Sequence, residues 1–288
     1  MQYLIDHWSF DPFLIIVLVL AAWHEVGLAK LAKKSSAEAT RERRIRSLRF
    51  YGGLAILLIA VESPVEYWAD RYFLVHMIQH LLLMFASPVL VVGGAPWEPL
   101  REVLPDRLST TTRPISLIGR FLLRPWVSVI AFNVTMVFWH LPGPFDLSIR
   151  NQSVQTWLMH GSFFIAGVLF WLQFVPSLPF RITMTRPAQM AALVITNVEM
   201  WILAMSMSIL ASASWYSVYA HVPGVTLPPF ADQQIGAAIL WVCGDFWAIP
   251  TLVYVVRKLI SEDGDVNSAV DRILGRRGSR GYQWAGRQ

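Results

Sequence analysis

The sequence predicts an all-α fold: a polytopic membrane bundle of seven transmembrane helices, with its N-terminus outside and its C-terminus in the cytoplasm. Two observations predict it. The chain is 55% hydrophobic and only 15% charged, with a mean hydropathy of +0.47, which is more apolar than a soluble domain of this length requires. Its apolar residues also gather in seven separate runs, and a bilayer span needs about 20 such residues.

The seven runs define the predicted helices in order. They fall at residues 12–29, 50–68, 73–93, 125–142, 153–175, 188–211 and 233–256. We expect a seven-span membrane domain over residues 1–260 and a basic cytoplasmic tail over residues 261–288. The chain leaves no stretch long enough for a separate soluble domain.

The positive charges predict the orientation. Of the 24 Lys and Arg residues, all except Arg71 and Arg150 fall on loops and a tail that a seven-span arrangement places on one side. Because positively charged loops are retained in the cytoplasm, that side is cytoplasmic. An even number of spans would scramble the bias. The net charge of +5 is therefore a membrane signal, and we expect no nucleic-acid partner.

The single cysteine, Cys243, limits the available chemistry. It excludes an intramolecular disulfide framework, a CxxC redox pair and any Cys-rich zinc or iron–sulfur site. Metal chemistry in this chain would have to use histidine, methionine and carboxylate side chains.

Four histidines share one predicted depth near the outer face: His76 and His80 of the third span, His140 of the fourth and His160 of the fifth. A spacing of four residues puts His76 and His80 on one helical face. A lone histidine in a span is as readily a hydrogen-bonded packing residue. Four at one depth favour a metal site, because buried polar groups are costly in a bilayer.

Methionines extend two of these faces, Met84 after His80 and Met136 before His140. Imidazole suits copper or zinc, whereas a thioether selects soft Cu(I). Methionine is more often a core residue, so Met84 and Met136 are candidates for additional ligands rather than members of the predicted set.

Three carboxylates supply a second layer of candidate residues. Glu199 and Asp245 fall in the middle of the sixth and seventh spans, where an unpaired charge would cost several kcal/mol. Asp232, at the outer mouth of the seventh span, could orient a metal-bound histidine through its second ring nitrogen or simply cap its own helix. Glu199 is a further candidate for a supporting role, and the sequence assigns none to Asp245.

Several motifs in order resemble one protein family. They are HMIQHLLLMFASPVLVVGGAP (76–96), WHLPGPFDLSI (139–149), His160 followed by GVLFW (167–171), and DQQIGAAILW (232–241). Together they resemble the caa3-type cytochrome c oxidase assembly factors, the CtaG-like multi-span family. The resemblance runs from the third to the seventh span and marks His76, His80, His140, His160 and Asp232 as characteristic polar positions.

The resemblance implies a multi-pass protein of the bacterial inner (plasma) membrane that is an assembly factor rather than an enzyme. It implies a role in maturing a heme–copper oxidase by helping copper reach the catalytic subunit. The implied partners are that subunit and periplasmic copper chaperones, and the implied cargo is copper, as Cu(I) in a His/Met site.

Other functions remain open from the residues. Two histidines on facing helices could ligate a b-type heme. An intramembrane zinc hydrolase would use the spacing of His76 and His80, although this HMIQH motif lacks the glutamate of HExxH. A transporter could use Glu199 and Asp245. A retinal protein is excluded, because residues 233–256 contain no lysine for a Schiff base.

Overall fold

The computed structural model describes residues 7–10, 12–104 and 113–263, and within these ranges the regular structure is helical, with no strand. In chain order the helices are α1 (Pro12–Ala32), α2 (Ala37–Glu62), α3 (Pro64–Ala69), α4 (Phe73–Gly94), α5 (Trp97–Glu102), α6 (Arg113–Leu122), α7 (Pro125–His140), α8 (Pro142–Arg150), α9 (Val154–Trp171), α10 (Arg186–Leu210) and α11 (Pro229–Asp263). The all-α prediction is confirmed. The predicted tail at 261–288 lies outside the described residues from position 264 onward.

Each of the seven predicted runs coincides mainly with one of the longer helices. Five of the described helices are long and apolar enough to cross a membrane, and α7 with α8 would be a sixth if that bent pair is one span. The remaining helix, α2, begins with the charged sequence AEATRERRIRSLRF, so only its second half is apolar. The structure thus supports a multi-pass membrane protein, while the count of seven and the orientation stay predictions.

Local sequence signals explain where the helices begin and end. Ser36 caps α2, because its hydroxyl accepts a hydrogen bond from the Ala39 backbone N–H at 3.3 Å. Proline opens α7 and α8, where its missing N–H costs nothing. The proline at 142 also ends α7 at His140, and the chain turns by 74° into α8. Helix α4 ends at Gly94, and the next residue, Ala95, has the left-handed φ of 47° that is common just after a helix.

Helix α4 lies at the centre of the bundle. Its apolar window is 61% buried, against 22–50% for the other four candidate spans. It packs against α2, α3, α9 and α11. Helix α9 approaches it closely at Gly167, where a Cβ atom would lie 2.6 Å from the Met84 carbonyl oxygen. Two of the four predicted site histidines are therefore carried by the most enclosed helix.

Three of the described helices contain π-helical segments, at Leu82–Ala86 in α4, Val154–His160 in α9 and Ser206–Leu210 in α10. A π-helical turn bonds residue i to i+5 and so holds one residue more than an α-helical turn. The sequence predicted that Met84 follows His80 on the same α-helical face. Because Met84 lies inside the π-helical segment of α4, the α-helical spacing between these two residues is not kept.

Candidate metal centre

Helices α4, α7 and α9 bring the four predicted histidines together. The ring centroids of His76 and His80 are 4.3 Å apart, and those of His80 and His140 are 5.2 Å apart. His160 is close enough to interact electrostatically with both His76 and His80. Each of the four side chains is at most 2% exposed. We call this group the histidine cluster.

Seven of the eight ring nitrogens in the histidine cluster have no hydrogen-bond partner in the part of the chain that the structure describes. The Ala69 carbonyl lies near His76, but neither nitrogen of that ring reaches hydrogen-bond geometry. Leaving a buried polar group unsatisfied costs about 1–3 kcal/mol, so buried groups are nearly always paired. Unpaired imidazole nitrogens are candidate ligands, and imidazole is suited to copper and zinc.

His140 is already fixed in one tautomer. Its Nδ1 lies 2.6 Å from the carbonyl oxygen of Met136, and because a carbonyl only accepts, Nδ1 must carry the proton and donate. The lone pair then resides on Nε2, which is buried and unpartnered. This is how proteins orient a metal-binding imidazole, with the remote nitrogen held by a backbone carbonyl or a carboxylate.

The rings do not converge on one point as they stand. Within the described ranges, no three or more His, Cys, Asp or Glu side chains are arranged to hold a metal ion. The planes of His76 and His80, and those of His80 and His140, meet at 80°. Rotation of the rings about their side-chain torsions would be needed before three nitrogens could share one ion.

The two candidate methionines lie in the core. Met84 is 2% exposed and Met136 is 1% exposed, and both belong to the main cluster of buried apolar side chains. Met136 supplies its backbone carbonyl to His140. The sequence interpretation had considered only its sulfur.

Asp232 has a role that the sequence interpretation did not consider. Its carboxylate accepts hydrogen bonds from the backbone N–H groups of Phe73 at 2.6 Å and Leu74 at 3.0 Å. These groups open α4, whose own preceding residue, Tyr72, provides no side-chain cap. Asp232 therefore caps the helix that carries His76 and His80, from 159 positions away in sequence.

The other two carboxylates lie apart from the histidine cluster. Asp245 accepts a hydrogen bond from the Asn197 side-chain amide at 3.0 Å. Its carboxylate therefore has the polar partner that such a group needs inside a span. Glu199 faces an apolar groove of about 470 Å³ between α7 and α10, beside Val137 and Ile202. A supporting role for Glu199 at the histidine cluster stays a prediction.

Three aromatic residues close the end of the bundle at which α4 begins. This aromatic cover consists of Phe145 on α8 with Tyr216 and Tyr219 in the link between α10 and α11. Phe145 packs on the ring of His76 at 4.8 Å and on that of Tyr216 at 4.2 Å. The cover buries the histidine cluster on that side.

Hydrogen bonds tie the aromatic cover to the helix ends. The Tyr216 hydroxyl donates to the His140 carbonyl at 2.9 Å, and the Tyr219 hydroxyl donates to the Ala69 carbonyl at 2.7 Å. Asp146 on α8 accepts from the backbone N–H and hydroxyl of Ser217. The sequence interpretation missed these residues. The available signal was that two links predicted to lie on the same side of the membrane both carry aromatic side chains.

Comparison with known proteins supplies the family. The chain is 25% identical over 283 residues to an uncharacterized protein of Mycobacterium bovis and, to the same degree, to one of Mycobacterium tuberculosis. Each match covers 92% of this chain but 41% of the relative, so the chain spans about two fifths of their length. No solved structure matches significantly. The family profile described as cytochrome c oxidase caa3 assembly factor matches residues 14–262, and this chain therefore belongs to that family.

Proposed function

We propose that the chain is a seven-span protein of the bacterial inner membrane, with the histidine cluster near the outer face. Its family supports an assembly role rather than an enzymatic one. The apolar second half of α2 supplies the additional span, and α7 supplies another. The distribution of Lys and Arg, with only Arg71 and Arg150 on the histidine side, supports the orientation through the positive-inside rule.

Within that role, the chain holds copper for a heme–copper oxidase and passes it to the catalytic subunit. The observation that carries this proposal is the set of seven buried, unpartnered ring nitrogens from three helices. Nitrogen ligands in a dry, sulfur-containing core suit Cu(I), with zinc as the competing ion for the same imidazoles. Copper is the cargo here, so no turnover chemistry is required.

Each histidine has a defined part in this proposal. His140 presents Nε2 as a preoriented ligand, because the Met136 carbonyl fixes its tautomer. His76 and His80 supply nitrogens one helical turn apart on α4, and His160 completes the group from α9. Met84 and Met136 are candidate thioether ligands for the transfer step. A handover by stepwise ligand exchange needs such a surplus of weak donors.

The same geometry makes a b-type heme a poor second candidate. A heme with two axial histidines needs room for its macrocycle between the two rings. The His80 and His140 centroids are 5.2 Å apart, and Phe163 packs against His80 at 4.3 Å and against His140 at 6.4 Å. A visible spectrum of the purified protein checks this, because bound heme would give a Soret band that survives dialysis.

An intramembrane zinc hydrolase is disfavoured as well, because a general base is missing from the cluster. Such an enzyme needs a carboxylate that activates a metal-bound water. Asp232 is engaged in capping α4, and Glu199 lies in the groove between α7 and α10. The family assignment as an assembly factor agrees with this conclusion.

The decisive experiment measures copper retention by the purified protein. The full chain is loaded with Cu(I) under reducing conditions and challenged with a Cu(I)-selective chelator. We expect the wild type to retain a stoichiometric amount and the H76A/H80A variant to retain almost none. His221, which is exposed and outside the cluster, provides the matched control H221A. Equal copper retention by H76A/H80A and the wild type would show that the cluster is a packing feature.

A further inference from the structure

A second feature lies at the opposite end of the bundle, where α1 ends and α2 begins. Between these helices is a groove of about 780 Å³, which we call the basic groove. Its walls include apolar side chains, Leu28, Ile45 and Leu48, and its rim carries Arg41 and Arg44. Nothing in the copper proposal uses this groove.

The two rim arginines have no ion-pair partner among the described residues, unlike their neighbours on α2, although the charge of Arg44 acts on the Tyr51 hydroxyl. Arg43 forms two hydrogen bonds to the Glu98 carboxylate, at 3.1 and 3.0 Å. The guanidinium Nη2 of Arg46 lies 3.8 Å from the carboxylate Oε1 of Glu42. Arg41 and Arg44 make neither an ion pair nor a hydrogen bond with any residue that the structure describes. The groove thus offers two guanidinium groups to an anion.

The apolar part of the groove shows what kind of anion fits. Ile45 is 50% exposed and Leu48 is 70% exposed, although both are large hydrophobic residues. Arg41 and Leu48 are seven positions apart, which is about 10 Å along a helix. An inorganic anion would use only the rim. A ligand with a phosphate at one end and a hydrocarbon chain at the other would use the whole length.

A carboxylate also lies on the groove and has to be accounted for. Glu25 accepts a hydrogen bond from the Tyr51 hydroxyl at 2.7 Å. Tyr51 is ten positions after Arg41, or about 15 Å along the helix, so this carboxylate lies toward the apolar end of the groove. Arg41 remains available to an anion at the other end.

We propose that the basic groove binds one anionic phospholipid of the phosphatidylglycerol type. Arg41 and Arg44 contact the phosphate, and an acyl chain lies along Leu28, Ile45 and Leu48. Basic pockets between membrane helices on the cytoplasmic side recognise anionic headgroups in this way. The lipid would hold the α1–α2 hairpin against the bundle from the leaflet that the positive-inside rule assigns to it. This inference does not depend on copper binding.

Native mass spectrometry of the full chain tests the proposal. The protein is equilibrated with mixed micelles containing equal phosphatidylglycerol and phosphatidylcholine, and the adducts that survive gentle activation are counted. We expect retention of one phosphatidylglycerol in preference to phosphatidylcholine. Because each arginine that contacts the phosphate contributes about 1 kcal/mol, we expect the R41A/R44A variant to bind about 30-fold more weakly.

Matched variants separate a built site from diffuse attraction. K33A/R49A removes the same charge from exposed positions that do not line the groove, and it should leave lipid retention unchanged. L48Q should weaken retention while leaving both arginines in place. Equal loss in K33A/R49A and R41A/R44A, or undiminished retention in R41A/R44A, would overturn the proposal. Displacement of the lipid by millimolar inorganic phosphate would also overturn it, since the acyl chain would then contribute nothing.

Discussion

Asp232 accepts a hydrogen bond from the backbone N–H of Phe73 at 2.6 Å, and this contact fixes the first turn of α4. A second bond reaches the N–H of Leu74 at 3.0 Å. His76 lies one turn further along. The carboxylate therefore helps to set the position of two cluster histidines from α11, a neighbouring helix that packs against α4.

Asp232→Ala is expected to lower both stability and copper retention. Loss of a capping side chain typically costs about 1 kcal/mol, and fraying of α4 would displace His76. Asp232→Asn keeps an acceptor and should have a smaller effect. The measurements are the thermal unfolding midpoint in detergent and Cu(I) retention. Val242→Ala, at an exposed position of the same helix, is the control. Wild-type values for Asp232→Ala would contradict the capping role.

His76→Ala and His80→Ala should each reduce cytochrome c oxidase activity in membranes without reducing the amount of this protein. The reason is that each removes one candidate copper ligand, and perturbing a metal site commonly costs about 10- to 100-fold in affinity or activity. The assay combines oxidase activity at limiting copper with immunoblotting. Exposed His221→Ala serves as the control. Full oxidase maturation in both cluster variants would refute the assigned role.

Met84→Leu should be mild if sulfur is not a ligand. The two side chains have similar volumes, and such core exchanges usually cost less than about 1.5 kcal/mol. Copper retention at equal folded protein then separates packing from ligation. Retention equal to wild type assigns Met84 to the core, whereas a loss as large as that of His80→Ala makes its thioether part of the site.

Gly167→Ala should destabilise the bundle. The added Cβ would lie 2.6 Å from the Met84 carbonyl oxygen and 2.7 Å from Pro88, so α9 would have to move away from α4 at a cost of about 1–3 kcal/mol. Gly143→Ala is the control, because nothing lies within 4 Å of its added Cβ. Unfolding in detergent provides the comparison, and equal midpoints for the two variants would show that this close approach is unimportant.

Asp70, between α3 and α4, should make stability depend on pH. Burial raises the pKa of this carboxyl, while the hydrogen bond from Gln155 and the charge of Arg71 oppose that rise. The folded chain then keeps a proton that the unfolded chain releases, so this contribution to stability is present at low pH and is lost as pH rises through the raised pKa. Asp70→Asn should reduce the change of the unfolding midpoint with pH over that interval, whereas exposed Glu38→Gln should leave that change as it is in the wild type. An unchanged slope in Asp70→Asn would exclude this explanation.

Local patterns predicted much of the fold because they depend on nearby residues. Apolar runs of about 20 residues located the helices, and the four-residue spacing of His76 and His80 placed both on the same face of α4. The charged residues at the start of α2 explain why composition alone does not identify that helix as a span. The predicted depths of His140 and His160 along their helices also indicated that both would lie near His80, as the structure shows.

The parts that the sequence did not predict depend on distant contacts. Nothing near Asp232 in sequence indicates that its carboxylate reaches Phe73. The contact of Phe145 with Tyr216 likewise joins two separate links. The π-helical segment around Met84 is not marked by any local sequence signal, and a stripe counted with α-helical spacing fails there. Long-range packing, rather than local propensity, completes the histidine cluster.

The aromatic cover has a kinetic consequence. With Phe145, Tyr216 and Tyr219 over the histidines and packed helices beneath them, an ion held there would leave no faster than the cover opens. Its residence time would then reflect the breaking of the Asp146–Ser217 contact more than the strength of any metal–nitrogen bond. A partner protein that displaces the aromatic cover would determine when the ion is released and to which side.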